Sequence, residues 1–161
     1  MSIKQKVKLE VFRCECKNCG KKSDIYRFTD FEYGRRLLRT EDGVDFGLVI
    51  CYEDKVFEEV GKMVDSFCEG MSIFKFRELK LAEYFDKVFG LTCDPINGKK
   101  IDASKLSICK YCGSSNHETF EYQPPSFIDL EVPMITHDLW EQKSELEKET
   151  IINSALEKIC S

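Results

Sequence analysis

Two short stretches, CKNCG at residues 16–20 and CKYCG at 109–113, share the form C-K-x-C-G. Two residues between cysteines allow a tight turn in which both sulfurs face one centre. Backbone N–H groups inside such a turn can donate to the thiolates. A glycine just after the second cysteine accepts a left-handed backbone that other residues resist. Two turns of this kind facing each other would bring the sulfurs of Cys16, Cys19, Cys109 and Cys112 into a tetrahedron, the geometry of a four-thiolate metal site. Lys17 and Lys110 stand next to the sulfurs in sequence, where their charge would offset part of the excess negative charge.

The nine cysteines stand at positions 14, 16, 19, 51, 68, 93, 109, 112 and 160. The first residues, MSIKQKVKLEVFR, alternate charged and apolar types without the apolar run and small-residue cleavage site of a secretory signal. No stretch approaches the roughly 20 apolar residues of a membrane helix. The chain is therefore expected in the cytoplasm and off the membrane. Thiols stay reduced there, and a cysteine cluster points to metal or catalysis before disulfides.

With its C-x-x-C-G knuckles at the ends of strands, the chain resembles the zinc-ribbon proteins of rubredoxin-like type. The resemblance covers residues 11–24 and 106–122. It implies that Cys16, Cys19, Cys109 and Cys112 bind one structural Zn²⁺. The chain departs from a simple ribbon in the 89 residues between Cys19 and Cys109, which are expected to form a helix-containing insertion. Two other readings of a C-x-x-C stay open. The cysteines could be ordinary strand residues, or a redox pair, which needs a strand-to-helix setting that neither stretch has. Cys14 and His117 are the substitute ligands that the sequence offers. Cys14 otherwise reads as a neighbour in the ribbon core, and His117 as a surface or packed residue.

These knuckles need strands to carry them. KVKLEVFR at 6–13 alternates and carries Val and Leu, so it predicts a strand. IYRFTDFEY suggests a second, and Asp42-Gly43 signals a hairpin before the apolar run FGLVICY. EDKVFEEVGKMVDSFCEG predicts a helix with Val56, Val60, Met63 and Phe67 on one stripe, Asp54 as its cap and Gly70 as its stop. A second helix is predicted over about 77–89, followed by a turn-rich CDPINGKK. HETFEYQ and SFIDLEV predict strands separated by Pro124-Pro125. A helix over about 137–159 has a drifting stripe that predicts a bend or two packing surfaces: Leu139, Trp140 and Leu146 on one face, Ile152, Leu156 and Ile159 on another. The expected fold is α+β in one domain over 1–161. A zinc ribbon of short antiparallel strands covers 6–30 and 105–132, an inserted α/β lobe covers 31–104, and a C-terminal helix covers 136–160.

Four sulfurs around one ion leave no position for water, so such a site holds structure and does no hydrolysis. The sequence has no H-E-x-x-H, no phosphate-binding loop motif, no G-x-G-x-x-G and no G-x-S-x-G. Two histidines, His117 and His137, make a thin supply of general bases. The expected function is non-catalytic. Residues 1–40 carry a net +6 and residues 41–161 a net −11, within a total of −5. The acidic part suits a basic protein partner, with the profile of an immunity-type inhibitor of a cationic toxin. The alternative is a nucleic-acid-associated zinc ribbon that uses its basic first quarter. There Arg35, Arg36 and Arg39 would grip phosphates, with Phe31 and Tyr33 as stacking platforms and Arg13 and Arg27 beside them. Against this, Asp30, Glu32, Glu41 and Asp42 are local acids that those arginines could pair with.

Overall fold

A computed structural model describes residues 3–28, 34–70, 81–105 and 107–160. The alternating first stretch forms β1, Lys4–Cys16, whose Val7, Leu9 and Val11 are buried while Lys6 and Lys8 are exposed. β1 is the centre of an antiparallel sheet in the order β2-β1-β6, with β2 at Lys22–Phe28 and β6 at His117–Pro133. The class is α+β, as expected, but β1 and β6 run for 13 and 17 residues and are not short. Pro124 and Pro125 do not divide β6. The pairing jumps from Val11↔Ser126 to Phe12↔Glu121, so both prolines sit in a bulge opposite no residue of β1. A proline has no N–H to give a ladder, and a bulge is where a strand tolerates one.

A second antiparallel sheet, in the order β4-β3-β5, is built from β3 (Arg35–Thr40), β4 (Phe46–Ile50) and β5 (Ile101–Asp102). The expected hairpin joins β3 to β4, with Gly43 at φ +73° and the Thr40 hydroxyl donating to Asp42 at 2.6 Å. This sheet is covered on both faces. Leu48 packs with Val7, Leu9 and Val132 of the first sheet, while Leu38 and Val49 pack with the helices. That is why FGLVI is a continuous apolar run and does not alternate.

α1 spans Lys55–Glu69, and Asp54 caps it by accepting from the N–H groups of Val56 and Phe57. Val56, Val60, Val64 and Cys68 form its buried stripe, and Gly70 is its C-cap. α2 spans Leu81–Phe89 and runs into a short 3₁₀ turn at Gly90–Thr92. The first residues of the helix expected over 77–89 lie outside the described residues, as do Phe31 and Tyr33. Tyr84, Val88 and Phe89 of α2 are buried against α1.

The expected C-terminal helix is two helices, α3 (Asp138–Glu141) and α4 (Glu145–Cys160). The Ser144 hydroxyl, which accepts from Glu147 N–H at 3.2 Å, starts α4 afresh. The break is the bend that the drifting stripe predicts. Residues expected to share a face do not: Trp140 is 1% exposed, while its α3 neighbour Leu139 and Leu146 of α4 are 56% and 74% exposed. Trp140 Nε1 donates to Glu59 at 3.3 Å, and the buried Lys148 reaches the same carboxylate at 3.4 Å. This group ties α4 to α1.

Candidate metal centre

The first knuckle closes where β1 ends and the second closes ahead of β6, with the same backbone bonds. Cys16 N–H donates to Lys21 C=O at 3.1 Å and Gly20 N–H donates to Cys16 C=O at 3.0 Å. In the second knuckle Cys109 N–H donates to Ser114 C=O at 2.9 Å and Gly113 N–H to Cys109 C=O at 2.8 Å. Gly20 and Gly113 both sit at φ +74°, where a side chain costs energy. Lys17 N–H donates across to Asn116 C=O at 2.9 Å, which joins the turns.

The four sulfurs of Cys16, Cys19, Cys109 and Cys112 lie within 4.8 Å of one another. Cys16 Sγ is 3.5 Å from Cys112 Sγ, and Cys19 Sγ is 3.7 Å from Cys109 Sγ. All nine cysteines are free, so these contacts are not disulfides. A tetrahedron with metal–sulfur bonds of about 2.3 Å has edges of about 3.8 Å, close to both spacings. The arrangement can hold a metal ion.

The thiols differ in acidity as a crowd of sulfurs must. Cys112 falls to about 6 because the Ser114 backbone N–H and the Asn18 side chain donate to it. Cys109 is lowered by the backbone N–H groups of Cys112 and Tyr111. Cys19 has a donor in Lys21 N–H, yet burial and the three other sulfurs push it up to about 11. Four thiolates at this spacing repel unless a cation sits between them. Lys17 pairs with Glu118 at 2.9 Å and Lys110 stands over the Tyr111 ring, while the hydrogen bonds to the sulfurs come from backbone N–H groups and Asn18.

The two substitute ligands lie outside this group. Cys14 is fully buried in β1, where burial raises its thiol. The His117 Nε2 bonds to Ser107 C=O at 2.9 Å. The arginines do not form one free face. Arg36 pairs with Asp86 at 3.0 Å, Arg35 stands over the Phe28 ring, and Arg39 is half-buried and donates to Tyr26 C=O at 3.5 Å.

The sequence reading missed a second polar centre. His137, 7% exposed, bonds through Nε2 to Asp54 Oδ2 at 2.7 Å and through Nδ1 to Thr92 C=O at 2.8 Å. Burial opposes charge on this ring. Asp54, Cys93 and the Thr92 carbonyl outweigh it and push His137 up to about 10. Asp54 is buried too, but His137 and the α1 N–H groups hold it below the usual carboxylate range. Both ring nitrogens face acceptors, an arrangement that favours the protonated ring and engages both N–H groups in that form. Nothing local announces this pair, because its members are 83 residues apart.

Among the described residues, no helix is long and apolar enough to cross a membrane. Comparison with known proteins finds no matching family model, no matching curated protein and no matching solved structure.

Proposed function

We propose that this chain is a non-catalytic protein-binding module, held together by a structural four-cysteine zinc site, whose acidic surface meets a basic partner. The sulfur spacings support zinc, which favours four thiolates in a tetrahedron and leaves such a site closed to water. The observation that carries the binding reading is the C-terminal helical segment. Leu139 and Leu146 are exposed there, and Asp138, Glu141, Glu145, Glu147 and Glu149 are exposed around them. Apolar anchors within a field of one sign suit a cationic protein partner. An immunity-type inhibitor of a basic toxin is one such module. Arg36 is held by Asp86, Arg35 lies over the Phe28 ring and Arg39 is half-buried on the Tyr26 carbonyl, which weighs against a broad nucleic-acid face.

The test has two arms. Elemental analysis and a thiol count on protein purified without added zinc should find one zinc per chain and four protected thiols. Cys109→Ser should lose the metal, and a coloured iron protein would overturn the zinc assignment. In the second arm, partners are captured at low salt and their association rates measured. Leu146→Ala with Glu147→Lys should slow association at least tenfold, and wild-type rates should fall as salt rises. A partner that binds the double variant as fast as wild type would refute this surface.

A further inference from the structure

A cavity lies between β2, β3 and the segments that flank the second knuckle. Its volume is about 540 Å³, within the range of small-ligand pockets. Four cations line it, Arg27, Arg36, Arg39 and Lys105, against one carboxylate, Asp86. Asp86 is already bonded to Arg36.

The remaining three cations have no carboxylate partner among the described residues. Arg27 stands over the Phe12 ring. Arg39 has a long bond to the Tyr26 carbonyl. Asp102 is the cross-strand neighbour of Arg39, but its Oδ1 accepts from the N–H and hydroxyl of Ser104 instead. Burial and the nearby charge of Arg27 both make the Arg39 cation less favourable than in water. A half-buried guanidinium beside another, with no anion, destabilises a fold unless a ligand supplies the charge.

A separate observation concerns His117, which lines the same cavity. Its Nε2 is taken by Ser107 C=O, and its Nδ1 is buried without a hydrogen-bond partner. Native proteins leave few buried polar atoms unpaired. Ser107 and Ser115 add hydroxyls to the lining.

We infer that this cavity binds the phosphoryl group of a small phosphate-bearing ligand, held by Arg27, Arg39 and Lys105. Two guanidinium forks and an ammonium match the oxygens of a tetrahedral anion better than a planar carboxylate. The cavity has room for more than the phosphoryl group. Tyr26, Leu37 and Ala103, also in its lining, supply apolar surface for whatever carries that group.

The probes are inorganic phosphate, adenosine 5′-monophosphate, adenosine and a single-stranded oligonucleotide, each titrated by calorimetry into the full chain with its metal. Phosphate and the monophosphate should bind, the monophosphate more tightly, and adenosine should not. Arg39→Gln and Lys105→Ala should each weaken the monophosphate about tenfold, as loss of one charge-assisted contact does. Lys62→Gln, on α1 and outside the lining, should leave it unchanged. Phosphate should also raise the melting temperature of wild type and not of Arg39→Gln. The inference is overturned if wild type binds neither phosphate probe, or if Arg39→Gln and Lys105→Ala bind as tightly as wild type. It is equally overturned if the oligonucleotide binds while the monophosphate does not, which would transfer the cations to a polynucleotide.

Discussion

Replacing Asp54 with asparagine keeps a side-chain oxygen for the α1 cap and removes the charge that faces His137. The two side chains are 7% and 11% exposed, so water screens the pair little. His137 rises from 6.5 to about 10, which corresponds to about 5 kcal/mol at most. Because the folded ring keeps its proton above the pH at which the unfolded ring loses it, this stability is fully present below about pH 6.5. It is lost as pH rises towards 10. Linkage then sets the slope: wild type should lose about 2.5 kcal/mol between pH 7 and pH 9. Asp54→Asn should lose about 2 kcal/mol less over the same window, since its histidine is neutral throughout, while buried thiols such as Cys14, Cys51 and Cys68 add the same loss to both proteins. At pH 7 the variant should be about 3 kcal/mol less stable, because the ion pair that holds the His137 proton is gone. Urea titrations at pH 7, 8 and 9 on metal-loaded protein measure both quantities, and the His137 ring shifts in an NMR titration report its proton directly. The reasoning is refuted if the two proteins share one pH slope, or if the His137 resonance in wild type titrates near 6.5.

Other perturbations separate the remaining elements. Leu156→Ala should cost about 3 kcal/mol in urea denaturation, since that side chain is fully buried, whereas the half-exposed Leu139→Ala should change stability by under about 0.5 kcal/mol. Gly90→Ala would place a Cβ 2.6 Å from the backbone oxygen of Ile101, and about 2 kcal/mol of destabilisation is expected. Gly20→Ala and Gly113→Ala meet no neighbour within 4 Å, so their cost is the left-handed backbone alone, about 1 kcal/mol each. They should speed metal release to a chromophoric chelator several-fold. Gly98→Ala, at the same φ of +74° but away from the sulfurs, should carry the stability cost without changing release.

Features made by neighbours in the chain were legible before any fold was known. A C-x-x-C-G turn closes on bonds within five residues, so Cys16, Cys19, Cys109 and Cys112 could be grouped from their spacing. α1 was equally legible, from Asp54, the helical spacing that begins at Val56 and Val60, and Gly70, because a helix and its caps are local, but packing buries Val64 and Cys68 more fully than the expected Met63 and Phe67. The α3–α4 break had a local sign as well, the S-E-L-E capping pattern at Ser144, beneath a stripe that periodicity alone had joined. Other features arise only when distant segments pack. Sheet stacking buries β4 on both faces, and the pairing of β1 with β6 moves Pro124-Pro125 into a bulge within one strand. Asp54 and His137 meet because α1 and the start of α3 converge on the Gly90–Thr92 turn. Arg27 and Arg39 share a cavity because β2 and β3, from different sheets, both line it. Such contacts depend on register and packing between remote stretches, and a side chain's own neighbours in the chain carry no record of them.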